Sequence, residues 1–442
     1  MEIDKTTLED LAIFNKEEEY SVFHQLNFTR TIGGKLILRK IFGQPLANIQ
    51  SIQDTQDAVK FLMQHTDEWP ETITNGTLMV MDKFFDTGSE PIPLARGSSN
   101  YLNNLYYRII NSGDYSLIRY SLSHFFTFLQ GFDELLKTYY SADTPILIRN
   151  IFMRAESLLS RKVLQEMLQM KANERMPVSR VLYFGHHTKY RHKSTFEELM
   201  HLYHQLDAYY SMAVAMKQYQ LSFPQMMENP YPVIEAKELY HILLEGAVSY
   251  NVTLNREANF LFLTGANMAG KSTFIKAIGI AAFLAHIGMG VPAEEMKLTF
   301  FDGLLSNIQV QDNIFLGESY FYNEIQRIKK TILKINNGRH WLILIDELFK
   351  GTNFQDAKNC SVIVIEGLLK MKNSLFVLST HLYEIAESLQ QHPNIRFKYF
   401  ETTVRDEIPT YSYQLKDGIS NDRLGFIILK REKVLDLLNE IK

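Results

Sequence analysis

Two textures of apolar and polar residues meet near residue 230 of this chain. Upstream, apolar positions recur at three- and four-residue spacing. Leu199, Leu202, Leu206, Tyr210, Ala213 and Met216 fall on one face of a predicted helix. The run 125–140 also reads as helical, and Thr6-x-x-Glu9 has the form of a capping box. Downstream, short apolar runs at 260–263, 341–345 and 375–378 alternate with helical patterns. Strands with no polar alternation are buried on both faces, so a parallel sheet covered by helices is expected there. Between the textures, Phe223-Pro224 and Asn229-Pro230-Tyr231-Pro232 form a breaker cluster that ends the last long helix. The expected organisation is a helical domain over 1–230 followed by an α/β domain over 231–442. Trp69-Pro70 and Glu90-Pro91-Ile92-Pro93 read as loops within the first.

Bulk numbers narrow the function classes. The chain has 442 residues, a net charge of −4 and one cysteine. No global basic surplus advertises nucleic-acid binding, so any such contact needs a local patch. The strongest basic cluster, His186 to Lys193, reads as a solvated loop. A lone Cys360 excludes a disulfide framework and a cysteine zinc site. The N-terminus has no signal-peptide pattern. The apolar stretch 274–291 is interrupted by Lys276 and His286, which makes it a buried helix rather than a membrane span. A cytoplasmic protein without membrane contact is expected.

The chemistry concentrates downstream. Gly265-Ala266-Asn267-Met268-Ala269-Gly270-Lys271-Ser272-Thr273 follows an apolar strand and precedes a helix, which is the P-loop arrangement. Its glycines let backbone N–H groups curl around phosphates, Lys271 supplies a point charge, and Ser272 is a ligand for Mg²⁺. A second apolar strand ends in Asp346-Glu347. At such a place an aspartate holds Mg²⁺ and a following glutamate polarises the attacking water. His381, after the next strand in Ser379-Thr380-His381, is positioned to sense a γ-phosphate.

These segments resemble the ATPase domain of the MutS DNA mismatch-repair family. The resemblance rests on 264–273, on Asp346-Glu347-Leu348-Phe349-Lys350-Gly351-Thr352-Asn353, and on Ser379-Thr380-His381. Asp312 to Phe321, with Glu324 beyond, is similar to that family's signature segment, and 415–425 to its late loop. Further upstream, 10–14, 26–34 and 53–59 are similar to the start of its helical core. The resemblance implies a helical core/lever domain followed by an ABC-type P-loop ATPase domain, with ATP and Mg²⁺ as cofactors. It implies head-to-tail pairing of two ATPase domains in a homodimer, with Ser319 facing the partner's γ-phosphate. Tyr413 falls where a family member stacks an aromatic or histidine on adenine. ATP binding would close the pair and move the levers around double-stranded DNA. Lys350 stands where the family has arginine and Phe349 where it has glycine, and a lysine cannot reproduce a bidentate guanidinium contact. Core-like sequence begins within the first ten residues, so no mismatch-reading domain is expected before it. Phe132-Asp133-Glu134 matches the family's mismatch wedge in letters but lies inside a predicted helix. Two other readings stay open: recognition of branched or recombination DNA intermediates, and a nucleotide-switched protein scaffold that does not bind DNA.

Overall fold

The computed structural model describes residues 1–88, 90–94, 101–171, 175–308, 320–405 and 408–420. The chain divides into two compact units, one of residues 1–25, 44–53 and 219–442, the other of residues 26–43 and 54–218. No helix among the described residues is long and apolar enough to cross a membrane.

The first unit holds eleven strands among the described residues. They are β1 (Glu2–Ile3), β2 (Gln225–Met227), β3 (Ile234–Leu239), β4 (Tyr250–Leu254), β5 (Phe260–Thr264) and β6 (Glu295–Thr299). β7 (Gly303–Asn307), β8 (Trp341–Asp346), β9 (Ser374–Ser379), β10 (Ile395–Arg405) and β11 (Ile408–Asp417) follow. The main sheet has the order β1-β7-β8-β9-β5-β10-β11, parallel throughout except for antiparallel β11 at its edge. A smaller sheet runs β2-β6-β3-β4. The three expected strands are therefore β5, β8 and β9, and they are neighbours in the middle of the main sheet.

Both faces of that sheet are covered, which is why its strands lack polar alternation. Trp341, Ile343 and Ile345 pack with Ile365, Leu368, Ile385 and Leu389 from the helices Phe354–Leu368 and Tyr383–Leu389. Leu344, with the opposite parity, faces the helix Lys271–His286, where a Cβ at Gly279 would fall 2.5 Å from Leu344 Cδ1. That helix is buried on all sides from Phe274 onward apart from Lys276, which accounts for its long apolar run.

The N-terminal residues belong to this unit and not to the helical one. β1 pairs with β7, and Thr7 and Asp10 reach the other end of the same strand. Buried Asp10 accepts from Ser306 Oγ at 2.6 Å and from the Ile308 amide at 3.0 Å, and it pairs with Arg327 at 3.2 Å. The first helix, Lys5–Asp10, is capped by Asp4, whose carboxylate accepts from the Thr7 amide at 2.7 Å. The expected cap, Thr6, lies inside the helix. Asp4 has the extended backbone a cap needs, so the helix starts one residue beyond it. The last long helix stops at Gln218, before the breaker cluster, and β2 already belongs to the smaller sheet. The unit boundary thus falls at 218/219 and not at 230.

The second unit is helical. All six residues of the predicted apolar face are buried in the helix Lys193–Gln218, and Phe125, Phe128 and Phe132 are buried in the helix Ser112–Tyr139. Phe132 is therefore a core residue. Asp207, fully buried, accepts from the Arg30 and Thr31 amides at 2.9 Å each and from Thr31 Oγ1 at 2.6 Å. His187–Arg191 is a π-helical turn rather than a solvated loop. Lys189 donates to the Thr87 carbonyl at 2.6 Å and lies over the Phe84 ring, so the apolar stem and backbone contacts hold the segment.

Candidate functional site

Parallel strands β5, β8 and β9 end on one edge of the sheet, and the site is built there. The turn out of β5 needs left-handed backbone at Gly265 (φ +137°) and Gly270 (φ +105°). A side chain at Gly265 would also press against the Phe400 carbonyl, 3.2 Å from an ideal Cβ. Met268, with φ +69° and 76 % exposure, is the outermost point of the loop. Gly270 is the N-cap of the helix that starts at Lys271, so the amides of the first turn point toward the loop opening.

Lys271 is buried, and its ammonium donates to the Gly265 and Ala266 carbonyls at 2.8 and 2.9 Å. Burial pushes its pKa down, opposed by the charges of Glu347 and Asp346. Ser272 Oγ donates to Asp346 Oδ2 at 2.5 Å, and Ser379 Oγ donates to Asp346 Oδ1. Both carboxylate oxygens are thus fixed by hydroxyls from neighbouring elements.

Glu347 has left-handed backbone (φ +67°), and its amide donates to the Ser379 carbonyl at 2.9 Å. Its Oε1 meets His381 Nδ1 at 2.9 Å and its Oε2 meets Lys350 Nζ at 3.2 Å. Burial pushes the carboxyl up, but the His381 hydrogen bond and the Lys350 charge outweigh it and bring the pKa to about 2. The hydrogen bond that His381 donates to Glu347 raises the histidine pKa against a smaller effect of burial. The Lys350 loop is itself held from below. Buried Glu324 accepts from the Lys350 and Gly351 amides at 3.1 and 3.2 Å, and Phe321 packs edge-on against Phe349.

A cavity of about 470 Å³ opens in front of these groups. Asn267, Met268, Gly270, Lys271, Ser272, Thr273, Asp346, Glu347 and Tyr413 line it. Gly265, Ala266 and Ala269 do not line it, and the first two hold Lys271 through their carbonyls. His381 stands beside Glu347 without lining the cavity. Ser319 lies outside the described residues, as does the late loop beyond Ser420.

The far wall was not legible in the sequence. It is formed by His241, Leu244, Glu245, Gly246, Val248, Tyr250 and Phe274. Burial lowers the pKa of His241 to about 4, with Lys276 adding to the effect, so the ring is neutral near pH 7. Tyr250 donates to the Tyr413 carbonyl at 3.0 Å, which joins the two aromatic residues of the wall. No motif marks the stretch between β3 and β4 that supplies most of it. Chemically, the cavity offers one half of cations, amides and carboxylates and one half of mainly apolar and aromatic surface that also carries Glu245.

Fold and site together define a mixed α/β protein with a glycine-rich loop and paired carboxylates on the edge of a parallel sheet, joined to a helical unit. Family models for MutS domain III and MutS domain V match residues 6–315 and 261–435, and the chain belongs to the MutS family. Similar proteins include the DNA mismatch repair protein MutS of Thermotoga maritima, 27 % identical over 54 % of this chain and 30 % of the relative. MutS protein homolog 4 of Homo sapiens is 31 % identical over 44 % of this chain and 20 % of its own length. The DNA mismatch repair protein MSH2 of Saccharomyces cerevisiae is 30 % identical over 45 % and 21 %. The chain spans under a third of the length of these relatives.

Proposed function

We propose that the chain is an ATP-hydrolysing, DNA-associated protein of the MutS type that acts in mismatch repair or related DNA repair. The observation that supports this most is the convergence of Lys271, Ser272, Asp346 and Glu347 on one cavity with an aromatic wall opposite. The donor set suits ATP and Mg²⁺. Ser272 and Asp346 place two hard oxygens in direct contact, which fits a cation that takes one or two protein oxygens beside phosphates. Mg²⁺ would neutralise phosphate charge as it develops.

The chain's own residues then have distinct tasks. Lys271 exchanges its bonds to the Gly265 and Ala266 carbonyls for phosphate oxygens, and the amides from Asn267 to Thr273 cradle the same charge. Tyr413, Tyr250 and Phe274 offer apolar surface to the base. Ser379 holds Asp346 in place. Glu347 accepts a proton from the attacking water, oriented by His381 and Lys350. In the family's manner, two ATPase domains would pair as a homodimer with Ser319 in trans and transmit nucleotide state to the helical unit around double-stranded DNA. This is a two-state element biased by a ligand that prefers one state.

The test is ATP turnover by the wild-type chain and Lys271→Ala, together with oligonucleotide binding. Turnover with Mg²⁺ that disappears in the variant is expected, because the loop loses its cation toward the phosphates. A variant with near-normal nucleotide affinity and turnover would sink the assignment. The net charge of −4 gives the scaffold reading its support. ATP turnover without DNA affinity at low salt would favour that reading.

A further inference from the structure

In the helical unit a groove of about 590 Å³ lies between the helices Tyr101–Ile110 and Ser112–Tyr139 and the segment entering Val178–His186. Arg108, Arg119 and Arg175 line it, one from each element. All three are exposed, and none forms an ion pair among the described residues. No described residue lining the groove is a carboxylate. In a chain with net charge −4, three guanidinium groups lining one groove, with no carboxylate among its described lining residues, make a local site of positive potential.

Two further features narrow the ligand. Asn104 lines the groove with only 3 % exposure, and its Oδ1 has no hydrogen-bond partner among the described residues. A buried polar atom of this kind calls for a partner from outside, and an acceptor needs a donor. Phosphate diesters offer no donor, whereas nucleobases do. Arg108 stands over the Tyr115 ring at 5.7 Å, a guanidinium–aromatic pair of the sort on which a base stacks.

We propose that this groove binds a nucleic-acid strand. Arg108, Arg119 and Arg175 neutralise consecutive phosphates, Tyr115 provides a stacking face, and Asn104 accepts from a base. The inference rests on the DNA-associated reading above and gives it a specific surface, separate from the nucleotide cavity.

The experiment is a salt titration of binding to labelled single-stranded and duplex oligonucleotides, using the full chain. It compares wild type, the three Arg→Ala single variants and the triple variant. Each phosphate contact contributes about 0.7 to the slope of log K against log salt for single strands and about 0.9 for duplex. The triple variant should therefore lose roughly 2–3 from the magnitude of the slope, and each single variant about one contact. An unchanged slope and affinity in the triple variant overturns the groove while leaving DNA association intact. No oligonucleotide binding by wild type at low salt overturns both. Competition by millimolar inorganic phosphate that abolishes binding would assign the groove to free phosphate instead. Because the arginines are exposed, the variants should melt like wild type, and Tyr115→Phe should bind like wild type while Tyr115→Ala weakens single-strand binding.

Discussion

Replacing Glu347 by glutamine separates the stability of the site from its chemistry. The wild-type carboxylate faces a histidine on one oxygen and an ammonium on the other. A pKa that falls from 4.5 to about 2 corresponds to ~3 kcal/mol in favour of the ionised form, at about 1.36 kcal/mol per pH unit. An amide cannot form either ion pair, and its NH₂ group would face a donor. Lys350 is 37 % exposed and His381 51 %, so solvent screening reduces the expected loss of stability to about 1–2 kcal/mol. Nucleotide should still bind, because Lys271, Ser272 and Asp346 are untouched. Hydrolysis should fall roughly 10²–10⁴-fold, the range for a positioned general base. Urea unfolding, nucleotide titration and single-turnover hydrolysis read the three quantities separately. Unchanged turnover with a measurable loss of stability would refute the base role and leave Glu347 a structural anion between two cations.

The two other predictions probe electrostatics and packing. In the wild type the Glu347–His381 contact raises the histidine pKa and lowers that of the carboxylate. Its contribution is therefore complete between the ordinary values, about 4.5 and 6.5. It declines as pH rises through the raised histidine value, and again as pH falls toward about 2. NMR titration of His381 should show its pKa return toward 6.5 in Glu347→Gln, and an unshifted curve would contradict the contact. In the helical unit, Asp207→Ala removes an acceptor of three hydrogen bonds and leaves the Arg30 and Thr31 donors unsatisfied. A loss of about 3–5 kcal/mol in denaturant unfolding is expected, and Asp207→Asn should lose less because its carbonyl oxygen still accepts. A loss below about 1 kcal/mol for the alanine variant would show that water replaces the carboxylate.

Local patterns in the sequence were enough for several elements. β5, β8 and β9 were visible as short apolar runs because strands buried on both faces need no polar positions. The glycine-rich loop was visible because left-handed backbone at Gly265 and Gly270 restricts residue choice. The long helix Lys193–Gln218 followed from its buried face, a period written into consecutive residues. Partners distant along the chain were decided only by tertiary structure. Asp10 meets Ser306 and Arg327 some 300 residues away, and no local rule links them. That contact and the pairing of β1 with β7 moved the N-terminus into the α/β unit. In sequence Lys350 is a departure from the family pattern, whereas the fold turns it onto Glu347 in the same chain. The cavity wall from His241 to Tyr250 has neither motif nor periodicity, because apolar surface facing a ligand is made of the same residues as a core. The arginine groove was equally hidden. Arg108, Arg119 and Arg175 are scattered singly along the sequence, Arg175 directly after Glu174, and charge becomes a site only when three elements bring it together.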